Sequence, residues 1–266
     1  MGRGFWPWRL GTTSYILPAD LSANVRFLAP RMDDVELVLF ESEEFGSNVP
    51  GPEVVADLAD VAAEHGLTYT IHLPTHVRPG SPRASERTLA VDTWNRVVER
   101  TEPLEPFGYV LHLEGDQPGA VPSSDVPAWL ENLERSLEAW VGAGGIQPRS
   151  ICVETLGYPF DLVWPLVRRW GLAVTLDIGH VWVMGFDAEA AVQTLLPHAR
   201  IVHLHGVDGV GGEDHQGLEV TDPDLLRAFL TSLSGQPGDR VVTLEVFCQE
   251  HLESSLGVLE RFRRTL

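Results

Sequence analysis

Eight short runs of β-forming, almost wholly apolar residues recur along the chain, and no other feature restricts its fold as tightly. They read "LGTTSYI", "VELVLFE", "LTYTIHLP", "FGYVLHLEG", "SICVETLG", "LAVTLDIGH", "RIVHLHGV" and "RVVTLEVF". Strands that are apolar throughout, without alternation, are buried on both faces, as in a parallel sheet covered by helices. Segments with helical spacing lie between them, among them "GPEVVADLADVAAEHG", "ERTLAVDTWNRVVERTE", "DVPAWLENLERSLEAWV", "DAEAAVQTLLPHAR" and "DPDLLRAFLTSL". Several open on Asp or Pro and close near Gly, the ordinary start and stop signals of a helix. Eight strand-then-helix units predict an α/β fold of the closed (β/α)₈ TIM-barrel type. An open doubly wound sheet would ordinarily place a Gly-rich phosphate turn after its first strand, and "GTTSYILPAD" offers none. The Pro/Gly patches are short enough to be loops, so residues 1–266 are expected to form a single TIM-barrel domain.

Composition narrows the functional classes. The chain carries 38 acidic against 19 basic residues, a net charge of −19, and would repel a nucleic-acid backbone. Its opening, "MGRGFWPWRLG", has no apolar signal core, and no later run is long and uncharged enough for a membrane span. A cytoplasmic protein without nucleic-acid or membrane partners is expected. Cys152 and Cys248 lie in strand-like runs and not in a C-x-x-C pattern, so they read as small hydrophobes of a reducing compartment.

In a TIM barrel the reacting groups project from the C-terminal ends of the strands. Polar residues at those ends are His72, His112, Glu154, Asp177, His180, His203, His205 and Glu245. Glu154, Asp177 and Glu245, the candidate catalytic carboxylates, would then crowd together in a partly desolvated space with no Lys or Arg at the strand ends. Unpaired, each would cost several kcal/mol or take up a proton; a divalent cation resolves the conflict. Imidazole with carboxylate suits zinc, manganese, iron or cobalt, and the lack of Cys argues against a thiolate site. One strand-end His alone is ordinarily a hydrogen-bonded core or loop residue. Repetition of acids and imidazoles at one relative position, strand after strand, points to a metal centre. The number of candidates suggests more than one ion, the usual device for splitting phosphate esters.

These positions resemble the endonuclease IV-like branch of the xylose isomerase-type TIM barrels. The resemblance implies one ion held by His72, His112 and Glu154, and a second by Glu154, Asp177, His203 and Glu245. A third would rest on His180 with Asp214 and His215 of the "GEDHQGL" loop. In the endonucleases the loop acid stands two before the His, so either Glu213 or Asp214 could supply it here. Two or three divalent ions, zinc or manganese foremost, are the implied cofactors. Sugar isomerases and epimerases of the superfamily share the Glu154, Asp177, His203, Glu245 quartet but typically add a Glu after strand five and an Arg after strand seven. "ETLGYPF" and "HLHGVDGV" contain neither, which favours hydrolysis.

Among hydrolytic relatives, "GTTSYILPADLSANVRFLAP", "DDVELVLFES" and "LTYTIHLP", with "LDIGH" and "VHLHGVDG", resemble the cobamide-remodelling phosphodiesterases. That likeness implies a small-molecule corrinoid substrate whose nucleotide loop is cut. A single-metal sugar isomerase or epimerase, or a non-catalytic corrinoid-binding barrel, are the alternatives. Tyr15, Glu41, His76 and His205 are candidate substrate contacts, and Phe45, Tyr158, Trp182, Phe186 and Phe247 could line an apolar pocket. His65 and His198 read as helix-end residues and His251 as solvent-facing. The oligomeric state is open.

Overall fold

The computed structural model describes residues 6–42, 46–236 and 238–264; Phe45 lies outside them. The eight expected strands are present: β1 (Arg9–Thr13), β2 (Asp34–Val38), β3 (Thr68–His72), β4 (Gly108–Leu111), β5 (Ile151–Glu154), β6 (Ala173–Asp177), β7 (Ala199–Leu204) and β8 (Val241–Leu244). Each pairs in parallel with its sequence neighbours, and β1 closes on β8, so the sheet is a barrel without edges. A two-stranded antiparallel hairpin, Glu41–Ser42 with Gly46–Ser47, is an addition after β2 that the apolar runs did not announce.

The helices are α1 (Leu21–Leu28), α2 (Pro52–His65), α3 (Ala84–Thr101), α4 (Val126–Val141), α5 (Trp164–Trp170), α6 (Ile178–Val183), α7 (Ala188–Leu195), α8 (Pro223–Gly235) and α9 (Gln249–Arg263). Aspartates cap five of them: Asp20, Asp125, Asp177, Asp187 and Asp222 each accept a backbone N–H from the first turn of α1, α4, α6, α7 and α8. The helix α2 ends on His65, followed by Gly66 in the left-handed region at φ 59°. Among the described residues, no helix is long and apolar enough to cross a membrane.

The main core lies between strands and helices, where Leu28, Leu58, Trp94, Trp129, Leu133 and Leu230 are fully or almost fully buried. A second, smaller cluster of Val110, Cys152, Ala173 and Ile201 packs on Phe107. Phe107 immediately precedes β4, and the guanidinium groups of Arg9 and Arg200 lie 4.9 and 4.4 Å from its ring centre. This aromatic residue sits at the N-terminal foot of the barrel, leaving the polar groups at the opposite end. Cys152 is buried, as expected of a small hydrophobe, whereas Cys248 is only partly buried at the start of α9.

Candidate metal centre

The strand ends converge. Glu154 closes β5 and is completely buried, as are Asp177 at the end of β6 and His203 and His205 at the end of β7. His72 closes β3, and His112 and Glu245 each follow their strand by one residue. Three groupings bring ligand atoms within 4.8 Å of one another: His72, His112 and Glu154; Glu154, Asp177, His203 and Glu245; and His180, His205 and His215.

Glu154 joins the first two through different oxygens. Its Oε2 lies 2.8 Å from His112 Nε2 and 3.4 Å from His72 Nε2. Its Oε1 lies 3.4 Å from His203 Nδ1 and 3.5 Å from His180 Nδ1. Five of the six imidazoles turn one nitrogen toward a fixed acceptor. His72 Nδ1 lies 3.1 Å from the Leu73 carbonyl, His180 Nδ1 3.0 Å from that of Thr155, and His215 Nδ1 3.2 Å from that of Glu245. His112 Nδ1 meets Glu114 at 2.9 Å, and His203 Nε2 meets Glu36 at 3.0 Å. A proton held there leaves the other ring nitrogen with its lone pair available to a cation.

His205 is the exception. Its Nδ1 accepts the backbone N–H of His215 at 2.9 Å and also lies 3.3 Å from the Gly206 carbonyl, two neighbours that ask for opposite tautomers. Its Nε2 faces Asp177 Oδ1 at 3.2 Å.

Thr155 orders the centre of this array. Its hydroxyl donates to the Asp177 carbonyl at 3.0 Å and accepts the Asp177 N–H at 2.9 Å, while Asp177 Oδ1 accepts the His180 N–H at 2.7 Å. The Asp-x-x-His spacing of "DIGH" is therefore a helix cap that presents both side chains at one strand end. His215 reaches the array from a loop. Its φ of 51° is left-handed, a strained conformation for a residue with a side chain.

The donors fit divalent cations. Glu154 Oε1, Asp177 Oδ2, His203 Nδ1 and Glu245 Oε2 are all buried without a hydrogen-bond partner, one atom from each member of the quartet. Among the described residues the ion pairs of Glu36, Glu154, Asp177 and Glu245 are all with histidines. The chain has no lysine, all 19 of its basic residues being arginine.

Protons serve as the counter-charge in this arrangement. Burial pulls the imidazole pKa of His112 down, but Glu154 and Glu114 outweigh it and push it up to about 10. His205 is likewise opposed by burial but pushed up to about 9 by Asp177. His203 is raised well above its ordinary value, again against burial, by Glu245, Glu36 and Glu154. Burial favours the neutral acids of Glu154 and Glu245. The charges of His112 and His203 nonetheless hold Glu154 well below the usual carboxylate range, and His203 does the same for Glu245.

Several expected residues fall elsewhere. Asp214 is not part of any of the three groupings; His205, expected to touch substrate, occupies that place beside His180 and His215. The reason is backbone geometry. Gly206 pairs with Gln216 in both directions, at 2.7 and 3.1 Å, and this closure brings His215 onto His205 with 4.2 Å between ring centres.

Glu41 sits on the hairpin and accepts from Arg96 at 2.7 Å, and His76 is exposed near both, outside the array. Tyr15 stands at a cleft of about 420 Å³ lined also by Ser14, Asp20, Asn48 and Pro50. Tyr158 and Trp182 are buried against Trp129 and Phe229, and Phe186 is partly buried against the main core, so of the four described aromatics only Phe247 stays exposed, beside His215. His251 does not simply face solvent, since its ring lies 3.3 Å from the His215 carbonyl. Glu36 and Glu114 were passed over in the sequence. Glu114 carries a signal, standing two residues after His112 in "HLE".

Solved structures with the same architecture span almost the whole chain. A D-tagatose 3-epimerase-like protein superposes with a TM-score of 0.78 at 21% identity, covering 97% of both chains. Endonuclease IV from Thermus thermophilus gives 0.73 at 19% identity, covering 97% of this chain and 100% of its own. The IOLI protein, solved with a zinc atom, gives 0.71 at 15% identity, covering 96% of this chain and 97% of its own. At such identities the likeness is one of fold. No curated protein matches the sequence. The family model for the xylose isomerase-like TIM barrel matches residues 32–262, and the chain belongs to that family.

Proposed function

We propose that the protein is a metal-dependent hydrolase of a phosphodiester in a small molecule, with a cobamide nucleotide loop as the substrate class that the sequence resemblance suggests. The observation that carries the reading is the division of Glu154, whose two oxygens face separate imidazole sets. One carboxylate shared between adjoining ligand sets suits neighbouring ions. Divalent ions at such a site polarise a phosphoryl oxygen and make water a nucleophile near neutral pH. His72 and His112 would serve the first position with Glu154, and Asp177, His203 and Glu245 the second. His180, His205 and His215 supply a third without any carboxylate. The acidic surface disfavours a polynucleotide, and the absence of lysine leaves no side-chain amine for Schiff-base chemistry.

The quartet alone supports a second reading, a single-metal sugar epimerase, in keeping with the epimerase-like neighbour. The additional imidazoles of the other two groupings favour the first. Incubation of zinc- or manganese-loaded protein with adenosylcobalamin, followed by chromatography, is expected to yield a cobinamide-type product, and Glu154→Gln to abolish it in a folded barrel. Interconversion of ketohexoses with no cleavage of any phosphodiester would replace this reading with the second.

A further inference from the structure

Glu36 belongs to none of the three ligand groupings, yet it is completely buried inside the barrel. It stands in mid-strand on β2, three strands round the wall from β7. Its Oε2 lies 3.0 Å from His203 Nε2, and its Oε1 has no hydrogen-bond partner. The other nitrogen of that ring, Nδ1, lies 3.2, 3.4 and 3.8 Å from oxygens of Glu245, Glu154 and Asp177.

We propose that Glu36 is a positioning residue for the ion held by Glu154, Asp177, His203 and Glu245, accepting the Nε2 proton of His203 and thereby committing Nδ1 to the ion. A neutral imidazole carries one proton, and its location decides which nitrogen can ligate. A carboxylate at Nε2 fixes that choice, fixes the ring plane and makes Nδ1 a stronger donor. The placement is costly for a merely structural group. A buried carboxylate with one hydrogen-bonded oxygen leaves much of its desolvation uncompensated, whereas an apolar residue could fill the same lumen. The charge is useful if a cation stands on the far side of the imidazole. The inference rests on reading the quartet as an ion site, and not on the reaction.

The test is Glu36→Gln, which keeps shape and removes charge. Loaded with zinc, the variant is expected to release one ion to a competing chelator at about 10- to 100-fold lower chelator strength than the parent protein, and loaded with cobalt to show a shifted visible spectrum. Should the variant fold poorly, nitrogen-15 spectra of the zinc-loaded parent decide instead: His203 is expected to be metal-bound through Nδ1 and to retain a proton on Nε2. Parent-like retention and spectrum in a folded Glu36→Gln, or an unprotonated Nε2 in the parent, overturn the role of Glu36 alone. A parent that takes up no ion overturns the ion site itself.

Discussion

The imidazole of His205 occupies the space that a side chain on Gly179 would need: a Cβ at residue 179 would come 2.1 Å from His205 Cε1 and 2.3 Å from its Nε2. The glycine of "DIGH" is thus what allows β7 to bring its second histidine against the β6 strand end. We expect Gly179→Ala to push the ring away, to destabilise the barrel by about 1–3 kcal/mol, and to weaken any ion site formed by His180, His205 and His215 before the other groupings. Denaturant melts with elemental analysis check this; full ion content at parent stability would contradict it.

Protons and cations compete for the same imidazoles. Because His112 and His205 keep their protons up to about 10 and 9, loading ions near neutral pH must expel protons. Affinity is expected to climb as pH rises toward those values, by up to about tenfold per pH unit for each proton displaced, and to fall in acid. Calorimetry in buffers of differing ionisation enthalpy counts the protons. Uptake without proton release would be inconsistent with the protonated array.

Asp34, two residues before Glu36, is also wholly buried and accepts from the hydroxyls of Thr68 and Thr70 at 2.6 and 2.9 Å. Burial outweighs those bonds and raises its carboxyl from 3.8 to about 7. Between these values the folded protein binds the extra proton, so this contribution to stability is fully present below about pH 4 and is lost as pH rises through about 7. Asp34→Asn is expected to flatten the decline and to exceed the parent in stability at alkaline pH. Urea denaturation across the range measures it, and an unchanged slope would rule out Asp34 as the source.

Thr155 holds both backbone polar groups of Asp177 through one hydroxyl. Thr155→Val preserves shape but strands a buried N–H and C=O, at a cost of about 1–3 kcal/mol, and frees the strand end that presents Asp177 and His180. We expect reduced melting temperature and lowered ion content, with Thr155→Ser restoring both. A valine variant equal to the parent in both respects would deny Thr155 its organising role.

The barrel was legible because buried parallel strands write themselves as apolar runs, and a polar residue ending such a run stands out. His72, Glu154 and Asp177 close their strands, and the structure brings their side chains together. The sequence concealed what depends on distant chain or on backbone torsion. Glu36 sits inside "VELVLF", 167 residues from His203, and only barrel closure reveals its partner. His205 was nearer to view, since "VHLH" has period two and sends both histidines to one face. The loop acid expected beside His215, Glu213 or Asp214, is absent from the groupings: the Gly206–Gln216 pairing and the left-handed turn at His215 bring that histidine onto His205 instead.

Phe107 lies under the guanidinium groups of Arg9 and Arg200 where the chain enters β4, at the end of the barrel away from the ligand array. The array itself stands at the C-terminal strand ends, the face from which a reactant meets a TIM barrel. An occupant lodged across that face would cover the array beneath it, so if ions are held there a tight product analogue is expected to slow their loss to a chelator.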